Sequence, residues 1–400
     1  MGDRVAVVGA GYAGMAAAVT LAEKGIKVVV FESGPVPGGR ARRVVSQGNE
    51  LDNGQHIFVG AYTELFRLMR TVGVPSDALL RVPLQLRYAR GFSLNARLGM
   101  SAGLATAKGV PLAEKMAAAR FMTFLKAQKF RVQEDVSVKE LLDEHQQNGR
   151  IGHYLWQPLC VSALNTPADR ASANVFLAAL RDTLAGPRGA SDLVLPRRDL
   201  SRLFPEPAAA FVAERGGEVR LRKTVESLDE LKSFTSTILA VGPHQLKNLL
   251  PDAPEFSYQP IYTCYLQYPV HVKLAFPMLG MADGLVQWVF DRGALTGERG
   301  RLACVISAQG DHQQMSQEEI AERCEQEIAA ALAIEEKPLW SRVIAEKRAT
   351  IACTVGLNRP AQRTTTGVVL AGDYTDPEYP PTLEAAVRSG IRAADLVLSS

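Results

Sequence analysis

The sequence predicts an α/β protein in which a Rossmann-like dinucleotide-binding domain is discontinuous along the chain and carries an inserted α+β domain. Three observations predict it. Residues 4–33 read as strand, glycine turn, helix, second strand and terminal acid, the order of a dinucleotide-binding βαβ unit. Between residues 81 and 131 the composition turns basic, with ten Lys or Arg residues and a single acid, Glu114. Buried-strand patterns then return at 218–221, 237–242 and 366–371, the last two closed by glycine turns.

The first unit is RVAVVGAGYAGMAAAVTLAEKGIKVVVFES. Gly9 permits the turn after the strand, Gly11 admits a pyrophosphate close to the backbone, and Gly14 lets the helix pack against the strand; each task excludes a Cβ. Ala10 and Ala13 lie between them, where backbone N–H groups at a helix N-terminus face an anion. Glu32 ends the second strand, with Ser33 next to it, where ribose hydroxyls are bound. The uncharged run 5–22 also has the look of a membrane span, but the spaced glycines, the lack of a basic flank and the β-branched run at 28–30 argue against it.

Composition sets outer bounds. Four hundred residues with 47% hydrophobic content give two or three domains a sizeable core. A net charge of +3 without a block of like charge gives no reason to expect nucleic acid. Five cysteines form no C-x-x-C pair and read as reduced thiols of a cytoplasmic protein. The six histidines have no metal-ligand spacing, so no metal site is expected.

After Ser33 the run GPVPGGRARR places Gly39 and Arg40 in a turn that returns a cation to the expected pyrophosphate. Residues 50–62 hold a polar cluster, Gly54, Gln55 and His56, ahead of an amphipathic helix with Leu65, Leu68, Met69 and Val72 on one face. His56 has two readings: a proton-transfer group suited to neutral pH, or a histidine satisfying backbone groups. The basic segment 81–131 also has two: a surface that rests on anionic lipid, or a helical domain with a solvated basic face. In the segment 154–184, Pro158, Pro167 and Pro187 bound two short helices, and Trp156, Leu159, Leu164, Phe176 and Leu180 read as core. Trp288 and Phe290 stand in a strand pattern and are candidates for an apolar lining. Near the C-terminus Gly372 and Asp373 form a turn, and Thr382 caps a helix with Leu383, Val387, Ile391 and Ala394 on one face.

The glycine fingerprint followed by the glycine-arginine run resembles the flavin amine oxidase and carotenoid desaturase superfamily. The stretches WQPLCVSALNTP and DLSRLFPEPAAAF resemble, more specifically, the squalene-associated FAD-dependent oxidoreductases, the hydroxysqualene dehydroxylases of hopanoid synthesis. The sequence departs from the superfamily at Arg43 and Val44, where Ser or Thr is usual. The resemblance implies FAD, with Val225 at the adenine, Gly372 and Asp373 at the ribityl or pyrophosphate part, and Thr382 and Leu383 at the flavin pyrimidine. It puts Gly54, Gln55 and His56 near the flavin ring, and Gln55 and His56 as catalytic residues. It further implies an FAD-binding domain of residues 1–80, 205–250 and 345–400 and a substrate domain of 81–204 and 251–344. The expected reaction is reductive removal of the hydroxyl of hydroxysqualene to give squalene, on a long isoprenoid hydrocarbon, with the electron donor unassigned. The expected location is the cytoplasm, peripheral to the inner face of the membrane through residues 81–131. The rivals are an oxidative carotenoid or squalene desaturase, an amine oxidase using an aromatic pair drawn from Tyr374 and Tyr379, and a non-catalytic prenyl-lipid carrier.

Overall fold

The computed structural model describes residues 4–399. Five parallel strands form the first sheet, in the order Glu218–Arg220, Lys27–Phe31, Arg4–Val8, Ser236–Leu239, Val369–Leu370. After their first residues, the central strands Arg4–Val8 and Lys27–Phe31 are apolar on both faces because both faces are covered. On one side lies the helix Tyr12–Glu23, itself packed by Pro205–Glu214 and Leu383–Leu398. On the other, Ala6, Val8, Val29 and Phe31 meet Leu231, Leu246 and Tyr374. The last strand is shorter than the pattern 366–371 predicts. A turn closed by Gly367 N–H on Thr364 O, with Gly367 at φ +81°, occupies the preceding residues.

The second sheet is antiparallel, in the order Met278–Gly280, Trp288–Asp291, Arg301–Ser307, Tyr258–Gln267, Trp340–Ile351. One register shift falls between Gln259 and Ile261, around Pro260, which has no N–H to give the ladder. The helix Gln317–Leu332 packs on this sheet and opens with a Ser316/Glu319 capping box.

Two of the four expected boundaries between the domains shift. Trp340–Ile351 runs unbroken through residue 345, since WSRVIAEKRATI holds no Gly or Pro to stop it, so the chain leaves this sheet only after Ile351. The strand Leu193–Pro196 pairs with Phe58–Val59 and Leu79–Val82. Val194, Leu200, Leu203 and Phe204 join the core around the first helix while Leu193 and Leu195 join that of the helical part, so the strand lies between the two cores and residues 200–204 pack with the nucleotide domain.

The helical part, Leu112–Ala127, Val138–Glu144, Gln157–Leu164 and Ala173–Leu184, shares a core with one face of the second sheet, in which Trp156, Leu164, Phe176 and Leu180 are buried beside Tyr265 and Phe290 and Leu159 is partly so. Pro158 does not bound its helix but lies inside a continuous helical run, directly after the π-helical turn Gly152–Trp156. Asn165 closes that helix at φ 47° and fastens it to the second sheet. Its amide donates to Gln259 O and Pro260 O and accepts from Ala308 N–H at 2.7 Å. The motif WQPLCVSALNTP is therefore largely an anchoring device. All five cysteines are buried and free.

Candidate active site

The two glycine segments meet backbone to backbone. Gly38 N–H donates to Ala10 O at 2.8 Å, and Gly11 and Gly38 form an isolated parallel bridge. Gly9 has φ +106°, and a Cβ there would stand 2.6 Å from Ala240 O. The helix Tyr12–Glu23 begins at Gly11 with no side-chain cap and no acid in its first turn, which leaves its N-terminal N–H groups for an anionic ligand. Glu32 is held in place by the turn it serves: Ala10 N–H donates to Oε2 at 2.8 Å and Gly34 N–H to Oε1 at 2.6 Å. Oε1 also accepts the Ser33 hydroxyl at 3.5 Å, and Oε2 keeps a lone pair for a ribose hydroxyl.

These residues open into one cavity of about 780 Å³. Gly9, Gly11, Ala13, Glu32, Ser33, Gly39, Arg40, Gly54, Gln55, His56, Val225, Gly372, Asp373, Thr382 and Leu383 all line it. Ala10 and Gly14 stand behind its wall. Arg40, expected beside the pyrophosphate, is in the wall but already paired, Nη2 with Asp373 Oδ1 at 2.7 Å and Nη1 with Ala349 O at 2.7 Å. The terminal helix presents its N-terminus here, Thr382 Oγ accepting from Ala385 N–H at 3.2 Å. Tyr374 also lines the cavity, and its buried hydroxyl has no protein partner. Tyr379 does not line it; it lies against Arg388, so no aromatic pair of the amine-oxidase kind forms from the two. Arg43, where the superfamily has Ser or Thr, turns away to Asp199 and to Glu206 at 2.9 Å.

The loop 52–56 is stitched along the strand Tyr258–Gln267. Tyr265 Oη donates to Asp52 O at 3.0 Å and Gln55 N–H to Thr263 Oγ at 3.3 Å. His56 Nδ1 contacts Gly54 O at 2.9 Å, and since a carbonyl only accepts, Nδ1 carries the proton. Burial pulls the His56 pKa below its ordinary 6.5 and the Arg40 charge adds to this, against the opposing pull of Gly54 O. The ring is thus mostly neutral at pH 7, with Nε2 the atom that takes up or gives a proton. Opposite, Val161, Ile261, Trp288, Phe290 and Val305 give the cavity an apolar wall, and Trp288 Nε1 is satisfied by Ser162 Oγ at 3.2 Å.

The residues fit FAD. A helix N-terminus, a carboxylate of the kind that binds ribose hydroxyls, a second helix N-terminus and a hydroxyl without a partner among the described residues line the same cavity, and Cβ-free backbone lies where the two glycine turns meet. Sequence reading missed Asp52, Thr263, Tyr265 and Arg292, which hold the loop from behind. The signal available was an Asp-Arg pair at the end of the apolar run VQWVFDR.

The family model described as flavin containing amine oxidoreductase matches residues 12–398. A Sinorhizobium fredii protein named hydroxysqualene dehydroxylase is 28% identical, over 100% of this chain and 99% of that one. A protein of the same name from Zymomonas mobilis is 29% identical over 98% of each chain. A Synechococcus elongatus protein named probable zeta-carotene desaturase is 23% identical over 99% of each. Among solved structures, cyclohexylamine oxidase from Brevibacterium oxydans superposes with a TM-score of 0.68 at 16% identity, over 100% of this chain and 99% of that one.

Proposed function

The chain belongs to the flavin containing amine oxidoreductase family and is an FAD-dependent oxidoreductase, and from that premise we propose that it reductively removes the hydroxyl of hydroxysqualene to give squalene. The observation that carries this reading is a cavity that is polar around Glu32 and apolar around Ile261, Trp288, Phe290 and Val305, with Gln55 and His56 also in its wall. The end-to-end similarity to proteins named hydroxysqualene dehydroxylase supports it.

When bound in reduced form, FAD supplies a hydride and so two electrons. The chain's own residues do the rest. The apolar wall holds the hydrocarbon, worth about 0.8 kcal/mol per buried CH₂, and excludes water from the reacting carbon. A C–H bond forms as the C–O bond breaks, and hydroxide is a poor leaving group. His56 Nε2 gives it a proton so that it departs as water, while Gly54 O keeps the ring aimed by its bond to Nδ1. His56 then regains its proton from solvent.

The desaturase relative favours a second reading, with electrons flowing from substrate to flavin. Anaerobic mixing of photoreduced enzyme with hydroxysqualene separates them. The flavin is expected to reoxidise with release of one squalene per flavin; flavin that stays reduced, or that is reduced from the oxidised state by a polyene, rejects the dehydroxylase reading.

The reading includes contact with anionic membrane through residues 81–131. No helix of the described residues is long and apolar enough to cross a membrane. In the helices Met100–Thr106 and Leu112–Ala127, Leu104, Phe121 and Leu125 face the core, but Leu98, Leu112 and Met116 are 88%, 71% and 51% exposed. Arg97, Lys108, Arg120 and Lys126 are exposed with them. The lone acid of the segment, Glu114, accepts Ile151 N–H at 2.8 Å. The protein is expected to sediment with phosphatidylglycerol vesicles and come off in high salt, each cation near the surface contributing about 1 kcal/mol. Serine at 98, 112 and 116 together should abolish the sedimentation without lowering turnover in detergent.

A further inference from the structure

Behind the loop that carries Gln55 and His56 lies a buried charge network that the reaction as written does not use. Arg292, 4% exposed, begins the short helix Arg292–Thr296 directly after the strand Trp288–Asp291. Its Nη1 donates to Asp52 Oδ2 at 3.3 Å and to Gln55 Oε1 at 3.1 Å, and its Nε to Glu298 Oε2 at 2.8 Å. Glu298 also pairs with Arg301. Asp52 is fixed from its other oxygen by Leu200 N–H at 2.9 Å.

A guanidinium only donates, so the Gln55 amide has a single orientation: oxygen toward Arg292, nitrogen toward His56 O. One of the two Nε2 hydrogens goes to His56 O at 3.2 Å. The other has no protein acceptor among the described residues, and Gln55 lines the cavity. A cation on the carbonyl side also polarises the amide and makes its N–H a stronger donor.

We propose that Arg292 is a positioning residue that turns Gln55 into a hydrogen-bond donor to the substrate's hydroxyl oxygen, the same oxygen that His56 protonates. The donor holds that oxygen before C–O cleavage and stabilises the negative charge that grows on it. This rests on the dehydroxylase reading for the identity of the oxygen, but not for the orientation of the amide.

The test uses oxidised, FAD-loaded enzyme, which binds the alcohol without turning it over, and reads binding from the perturbation of the flavin absorption band. Hydroxysqualene is expected to bind about five- to tenfold more tightly than squalene, the range of one buried hydrogen bond. Gln55→Met should reduce that preference to near unity. Arg292→Lys keeps a cation for Asp52 and Glu298 but not the fork that also reaches Gln55, and should reduce the preference to a similar extent with FAD content unchanged. In the double variant the two losses should not multiply, because Arg292 acts only through Gln55. Wild-type preference in Gln55→Met or in Arg292→Lys, no preference in the parent enzyme, or multiplying losses would each overturn the proposal. If Arg292→Lys fails to fold, Arg292→Gln is measured in its place with the same expectation, because Gln55→Met tests the donor and not its orientation. Squalene release by the reduced parent enzyme is scored separately, so failure of the dehydroxylase reading is distinguishable from failure of this one.

Discussion

Gly14→Ala should be recovered colourless, with FAD affinity weakened on the order of a hundredfold, as expected for two lost charge-assisted hydrogen bonds. The reason is a lack of room on both sides of one helix. A Cβ on Gly14 would overlap Gly9 O and stand 3.1 Å from Ala240 Cβ. The helix Tyr12–Glu23 cannot retreat, because every residue from Tyr12 to Ala22 is buried and Gly390 of the terminal helix is pressed against Ala13 O. The added carbon must therefore displace the Gly9–Gly11 turn and with it the N–H groups that face the phosphates. Overpacking of this kind also costs about 1–3 kcal/mol of stability. The flavin-to-protein absorbance ratio and the melting temperature of the apoprotein measure the two effects; a yellow variant of normal stoichiometry would show that the helix can shift after all.

The same glycine shows what a sequence can reveal. Gly9, Gly11, Gly14 and Glu32 were legible because their spacing is local: one strand, one turn and one helix impose it. Gly390 belongs to the same packing problem but lies far along the chain, and nothing near it in sequence marks the approach of another helix. The boundary after Ile351 was hidden for a related reason. A twelve-residue strand without Gly or Pro has no punctuation, and only its pairing with Tyr258–Gln267 shows which sheet owns it. In the candidate site, Gln55 and His56 could be named from a polar cluster at a strand-to-helix junction. Their support could not. Asp52, Thr263, Tyr265 and Arg292 come from three elements, and their bonds to the loop exist only once the second sheet has folded against it. Arg40 was legible as a cation of the nucleotide site, while its pairing with Asp373 spans 333 residues of sequence.

His56→Ala should retain FAD and lose turnover by about 10²–10⁴-fold, the usual contribution of a positioned acid. Retention follows because the bonds of His56 are local: among the described residues its side chain pairs with Gly54 O. The pH dependence tests its role more sharply than the loss does. A donor must carry its proton before it can give it, and burial holds the His56 pKa below 6.5. The protonated fraction is therefore small at neutral pH, and single-turnover rates of the reduced enzyme should rise as pH falls from 7 toward that lowered pKa. The alanine variant should show no such rise. Stability responds in the opposite sense. A histidine with a depressed folded pKa contributes stability that is present above 6.5 and lost as pH falls through the folded pKa. Asp52 works against this, because burial raises its pKa to about 6 despite Arg292. Its contribution is present below the ordinary carboxylate value and lost as pH rises through about 6. The two slopes overlap in the native enzyme, and comparing melting temperatures of the parent and His56→Ala between pH 5 and 7 isolates the histidine. A rate that falls with acidity in the parent, while the fold and FAD content hold, would make His56 an acceptor that binds the hydroxyl proton instead of supplying one.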